Sequence, residues 1–231
     1  MPDEPLDHPW DVSVPEAVSI QRRLRDRVVP HPPLGFAPRL VAGADISLDR
    51  GSPRGYAGVV VIDARTMETV DEATAGVELP FPYVPGLLSF RELPAVARAW
   101  AGLATRPDVV IFDGSGYNHP RRFGLACHGG VLLDVPSIGC AKSILVGRHG
   151  PLADEAGATA PLLDKGEVVG MAVRLRARVA PVYVSIGHKM DLETAVAVVG
   201  AMSTGYREPE TTRRAHRLVN ALRRRAGSRD D

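Results

Sequence analysis

The chain has 231 residues, is 45% hydrophobic and carries a formal net charge of +1. That length suits one α/β domain with a sizeable core, and the near-neutral balance excludes an all-over polyanion-binding surface, so any such surface must be local. No apolar run is long enough to span a bilayer, the acidic, proline-rich start "MPDEPLDHPW" is no signal peptide, and Cys127 and Cys140 lack metal-type spacing, so a cytoplasmic protein with reduced thiols and no membrane partner is expected.

Residues 1–12 read as a loose lead-in. Ser13 and Glu16, with Pro15 between them, form a capping box that opens a helix through about Val28. "HPPLGFAP" is a linker. "RLVAGADIS", "YAGVVVID" and "ETVDEATAGV" alternate as three successive strands, and "FPYVPGLLSF" is an irregular loop with two prolines. "RELPAVARAWAGLA" has helical period. "DVVIF" is a short, wholly apolar strand of the kind buried on both faces of a sheet. "PRRFGLACHGGVLLD" reads as a helix and "PSIGCA" as another central strand. Residues 146–160 are loop, "PLLDKGEVVGMAV" is a hairpin and "PVYVSIG" a further strand. "DLETAVAVVGAMS" and "PETTRRAHRLVNALRRR" are helices, and 226–231 a tail. The order predicts an α/β fold in one domain over 1–231, a mixed sheet sandwiched by helices.

Three acids stand out. Asp45 lies in an apolar strand, where a carboxylate costs several kcal/mol unless paired or metal-bound. Asp113 ends "VVIF", at the carboxyl end of a strand where α/β sheets place ligands. Glu92 opens the "RELP" helix. Each has a bland explanation: a strand-end turn for Asp45, an Asx-turn beside Gly114 for Asp113, a favourable helix dipole for Glu92. Together they point to three converging carboxylates, whose hard oxygens suit Mg²⁺ or Mn²⁺. Lys142 follows an apolar strand in a chain that otherwise uses arginine, which hints at a point charge near phosphate; snorkelling to the surface explains it as well. His216 by itself reads as a surface or packing residue.

The motifs "VAGADIS", "FPYVPGLLSFRE", "FDGSGYNHPRRFGLACHGG", "IGCAKSIL", "PVYVSIGHKMDLETAV" and "REPETTRRAH", in this order over most of the chain, resemble the endonuclease V family of deoxyinosine-directed nucleases. The resemblance implies a ribonuclease-H-like fold. It implies Asp45, Glu92 and Asp113 as ligands of a divalent metal, with Lys142 and His216 completing the catalytic set. A wedge falls on Pro82, Tyr83, Val84 and Pro85. Val84, Ser115, Tyr117, Asn118, Cys127 and Cys140 depart from the residues expected in relatives, and none removes an acid.

A flipped hypoxanthine needs a tight pocket of main-chain amides, and glycines let the backbone approach closely. Gly86, Gly114 and Gly116 are candidates, with Leu88 and Leu145 as apolar walls. His119 and Arg121, in the turn after Asp113, are expected to face the substrate. Arg121, Arg122 and the arginines from Arg213 to Arg225 are expected to meet phosphate. From Gly205 onward, eight arginines against four acids make a local +4. The expected activity is metal-dependent hydrolysis 3′ to deoxyinosine in DNA by a monomer. Alternatives are an inosine-directed endoribonuclease, a non-catalytic nucleic-acid binder and a small-phosphoester hydrolase. The acid trio speaks against the binder, because acids repel phosphate.

Overall fold

The computed structural model describes residues 8–48 and 54–227. Residues 1–7 of the expected lead-in and 228–231 of the expected tail lie outside them. The elements are α1 (Val14–Leu24), β1 (Leu40–Leu48), β2 (Arg54–Asp63), β3 (Thr69–Glu78), α2 (Leu88–Ala101), β4 (Val109–Phe112), α3 (Leu125–Leu133), β5 (Ser137–Ala141), β6 (Thr159–Asp164), β7 (Glu167–Val173), β8 (Val182–Ile186), α4 (Leu192–Ala201) and α5 (Glu210–Gly227).

All eight strands join one sheet in the order β3-β2-β1-β4-β5-β8-β7-β6. β1–β4 and β4–β5 are parallel, and the other pairings are antiparallel. Every residue of β4 is buried, as its uniform apolar sequence requires at the centre of a covered sheet. Side-chain alternation splits the core in two. Ala42, Ala44, Val59, Val61, Val110 and Phe112 face Leu93, Val96 and Ala99 of α2 and Leu125 and Ala126 of α3. Val41, Val109, Ile111, Ile138, Val182 and Val184 face α4, while Val60 and Ile62 face Ala215 of α5. This is the mixed sheet between helical layers that the strand order predicts. Outside α2 and α3 lies a further layer, in which Ala17, Ile20 and Leu24 of α1 pack on Phe81, Phe90, Phe123 and Cys127.

Local chemistry explains the boundaries. The Ser13/Glu16 capping box is formed, with the Ser13 amide donating to Glu16 Oε2 at 2.8 Å. The β6–β7 hairpin turns through Lys165 and Gly166 at φ +55° and +85°, the paired positive angles of a type I′ turn. Four expectations need correction. The lead-in is anchored from His8 on: its buried ring meets His128 at 2.8 Å between Nε2 atoms and packs on Trp10 and Phe90. α2 begins at Leu88, so Glu92 sits inside the helix rather than at its dipole end. α3 begins only at Leu125 because 120–124 turn back: Arg122 is at φ +55° and the Gly124 amide donates to the Gly116 carbonyl at 3.0 Å. The tail's first two residues, 226 and 227, continue α5. Both cysteines are free and buried, and burial pushes the Cys127 thiol up to about 12.

Candidate active site

β1 and β4 run parallel in a register that pairs Ala44 with Phe112. The next residue on each strand is an acid, Asp45 and Asp113. Parallel neighbours lie about 4.8 Å apart and matched positions share a face, so the two carboxylates leave the same edge of the sheet side by side. The face is that of Gly43 and Ile111, toward α5. Glu92 arrives from α2 on the other side. Withdrawal from water, then the charges of Asp45 and Asp113, push its carboxyl up to about 8. Burial also raises Asp113, with Asp45 and Glu208 adding to the rise against the pull of Lys142. Asp45 is therefore close enough to both Glu92 and Asp113 to oppose their ionisation.

Two cationic groups answer them. Lys142, just past β5, donates to Asp113 Oδ2 at 2.5 Å and Glu208 Oε2 at 3.2 Å. Burial disfavours its charge, but the two acids outweigh that and raise its pKa. His216 of α5 places Nδ1 2.8 Å from Asp45 Oδ2. Its Nε2 faces the Asn220 side-chain amide at 2.9 Å, which needs an acceptor there, so the proton sits on Nδ1 and His216 donates to Asp45. Ser47 in turn donates to Asn220 Oδ1 at 3.1 Å. Sequence reasoning missed Glu208 and Asn220. Glu208 lies within the quoted "REPE" motif, and Asn220 stands one helical turn after His216, the spacing that could have revealed it. Among the described residues, no three His, Cys, Asp or Glu side chains form a ready-made metal cage; Asp45 and Asp113 are turned onto His216 and Lys142 instead.

Beside the acids is a cavity of about 280 Å³. Asp113 and Lys142 line it, with Tyr83, Val84, Pro85, Gly86, Leu88, Gly114, His119 and Leu145 from the sequence-derived set. Gln21, Ser89 and the exposed Ile144 also line it and had not been singled out. The N-terminus of α2, which opens here at Leu88 and Ser89, has no side-chain cap. Tyr83 is 69% exposed at the rim, next to exposed Pro82. A larger cleft of about 490 Å³ between Arg25, Tyr117, Val168 and Leu192 contains none of the acid trio.

Several expected substrate contacts are engaged elsewhere. Gly116 is not part of the cavity wall: its amide donates to Ser185 Oγ at 2.9 Å, and a Cβ there would strike the Ile186 carbonyl. Its missing side chain serves the approach of β8. Arg121 turns inward to the Gly86 carbonyl and Gln21. Arg122 bonds Asp164 and Glu167 at 2.7 and 2.9 Å. Arg213, Arg214 and Arg217 gather on buried Glu210.

Acids delivered from a central parallel pair, in a sheet that continues antiparallel on both sides, define a nuclease of the ribonuclease-H-like class, a hydrolase of phosphodiester bonds. The family model for endonuclease V matches residues 22–217. An endonuclease V of Myxococcus xanthus is 63% identical over 94% of this chain and 93% of its own length, and that of Roseiflexus sp. is 52% identical over 94% and 97%. The crystal structure of Streptomyces avermitilis endonuclease V superposes with a TM-score of 0.88 at 43% identity, covering 94% of this chain and 96% of that one. That of Ciona intestinalis endonuclease V, in complex with a 24mer DNA containing an inosine followed by a ribo-adenosine, superposes with a TM-score of 0.79 at 28% identity, covering 92% and 98%. The chain belongs to the endonuclease V family.

Proposed function

We propose that this chain is a monomeric, single-domain, metal-dependent endonuclease of the cytoplasm that cleaves DNA 3′ to deoxyinosine in the repair of deaminated bases. The observation that carries the reading is the parallel register that sets Asp45 and Asp113 side by side, with Glu92 close enough to feel both charges and with Asp113 and Lys142 in the cavity wall. No helix among the described residues is long and apolar enough to cross a membrane. The donor chemistry fits a hard divalent cation: three crowded carboxylates, two of them with raised pKa values, gain from a charge placed among them. Asp45, Glu92 and Asp113 would hold Mg²⁺ or Mn²⁺, which when bound neutralises phosphodiester charge and eases attack by water.

The chain's own groups do the rest. Lys142 sets a positive charge where charge develops on phosphate. His216 donates Nδ1–H to Asp45 and orients that carboxylate, and to hold or move a proton its Nε2 must first leave the Asn220 amide. The cavity, with Gly86, Gly114, Leu88 and Leu145 in its wall, takes a flipped hypoxanthine, and the uncapped α2 terminus offers amide donors to its oxygen. Tyr83, exposed beside Pro82 and Pro85, fills the gap in the base stack. A second reading is an inosine-directed endoribonuclease; the ribonucleotide after inosine in the Ciona intestinalis complex favours it.

The test is cleavage of matched strands carrying deoxyinosine, inosine in RNA, or neither, with Mg²⁺ and with chelator. Deoxyinosine DNA should be cut only with metal, and Asp113→Asn should abolish cutting while the protein stays folded. Faster cutting of the RNA strand would exchange the first reading for the second. Equal cutting of all strands would sink both.

A further inference from the structure

The Gly86 carbonyl receives three donors: Arg121 Nη2 at 2.5 Å, His119 Nε2 at 3.0 Å and Gln21 Nε2 at 3.1 Å. A carbonyl oxygen has two lone pairs, so this one is saturated. The donors also hold one another. Arg121 Nε donates to Gln21 Oε1 at 2.5 Å, and the Arg121 amide donates to His119 Nδ1 at 3.1 Å. The last bond requires an unprotonated Nδ1, which puts the His119 proton on Nε2, facing Gly86. Gln21 Nε2 reaches the Phe123 carbonyl as well, at 3.2 Å. Both ends of the Gln21 amide are thus assigned without ambiguity.

What Gly86 holds gives the network its meaning. Leu87 donates to the Val84 carbonyl at 2.9 Å, with Pro85 second and Gly86, at φ +78°, third in the turn. Proline then a positive-φ glycine marks a type II turn. This turn carries Tyr83 on its entry side and hands the chain into the uncapped first turn of α2 on its exit side. Fixing the Gly86 carbonyl therefore fixes both the wedge and the amides that line the cavity. Gln21 is buried at 1% exposure on the inner side of α1, which itself rests on Phe81, Leu87 and Phe90.

We propose that Gln21 is a positioning residue for base recognition, and that Arg121 and His119 act with it on the Gly86 carbonyl rather than on phosphate. The inference rests on the inosine reading above. It makes α1 part of the frame of the pocket, and it makes the two-pronged geometry of Arg121 essential where its charge alone is not, because lysine lacks the separate Nε and Nη2 donors that meet Gln21 and Gly86.

The experiment uses the full chain with Gln21→Met, Gln21→Glu and Arg121→Lys. Thermal unfolding checks the fold, and hydrogen exchange follows the 82–88 amides. Steady-state cleavage compares inosine and unmodified strands, and affinity is read against salt. Gln21→Met should speed exchange in 82–88 and lower inosine discrimination by about tenfold to a hundredfold, through KM, as expected for slight misplacement of a binding group. Gln21→Glu keeps the acceptor for Arg121 but loses both donated bonds, and should fall in the same direction. Arg121→Lys should lose discrimination with an unchanged salt slope. Retained discrimination or wild-type exchange in folded Gln21→Met overturns the inference. So does Arg121→Lys that keeps wild-type discrimination, since the charge alone would then suffice, as it does for a phosphate ligand. A wild-type protein that cuts both strands equally would remove the inosine reading and this inference together; wild-type discrimination that survives Gln21→Met removes this inference alone.

Discussion

Glu92 bears the strain of bringing three acids together. In the unfolded chain it ionises near the ordinary 4.5, whereas in the folded protein burial, Asp45 and Asp113 hold it up to about 8. Between those values the native state keeps a proton that the unfolded state has lost, so stability falls as pH rises through that window. Replacing the acid with its neutral isostere removes the penalty. In chelator, Glu92→Gln should therefore melt above the wild type at pH 8, with the gap closing toward pH 5. It should show no cleavage at either pH. A variant that melts with the wild type across the whole range would mean Glu92 is not crowded, and its place among the metal ligands would go with it. Lys142 and His216 are each bonded to one of the other two carboxylates.

α5 brings His216 to Asp45 because β1 and β2 present glycines, Gly43 and Gly58, at its closest approach. A Cβ on Gly43 would run into the Thr211 backbone, and one on Gly58 would meet Val219 Cγ1 at 2.8 Å. Gly43→Ala must push α5 outward. Overpacking of this kind costs about 1–3 kcal/mol, and His216 moves with the helix, so both melting temperature and cleavage should drop. Gly200→Ala in α4 is the matched control: nothing lies within 4 Å of its would-be Cβ, and a helix-interior alanine is favoured over glycine by roughly 0.5–1 kcal/mol. If Gly43→Ala cleaves as the wild type does, the close seat of α5 is not what aligns the site. The sequence shows why some of this was legible and some was not. Apolar alternation and the solid run at 109–112 announced the strands, and the acids were visible as charges inside apolar surroundings. The α5 seat was not visible, since "VAGADIS" reveals a small residue but not what packs on it. The Gly86 network escaped for a related reason: Gln21, Gly86 and Arg121 are far apart in the chain, and a basic "HPRR" turn reads as a phosphate contact until its guanidinium is seen turned inward. Gly116 was misread because a glycine next to a site looks the same whether a base or a neighbouring strand approaches it.

Across the whole molecule, acid works in opposite directions on two sets of buried groups. The outer layer of α1 and residues 8–12 is joined to α3 through the buried imidazoles of His8 and His128. His8 Nδ1 meets the Pro9 carbonyl at 2.9 Å and donates to it, and His8 Nε2 faces His128 Nε2 at 2.8 Å. His128 Nδ1 bonds Ser89 Oγ at 3.0 Å. Burial, with His8 beside it, holds His128 well below its usual range, and burial with Arg121 beside it takes His119 down to about 4. An unfolded histidine takes its proton near 6.5, while these two stay neutral in the native state. The unfolded state therefore binds more protons below 6.5, and stability falls with pH from there, for His119 down to about 4. At one pH unit below 6.5 the loss is about 1.4 kcal/mol for each of the two. Glu92 acts the other way and recovers stability over the same interval, which would mask the effect in the wild type. The measurement is therefore urea unfolding of Glu92→Gln in chelator at pH 7 and 5.5, followed by the fluorescence of Trp10, which stacks on His128 with ring centroids 5.4 Å apart. Trp100→Phe in the same background leaves Trp10 as the only tryptophan. The midpoint should move to lower urea at pH 5.5, with the Trp10 signal changing no later than the global transition. A midpoint that holds steady or rises would show that the buried imidazoles accept protons without opposing the fold, and that the layer carrying Gln21 is not held by neutral histidines.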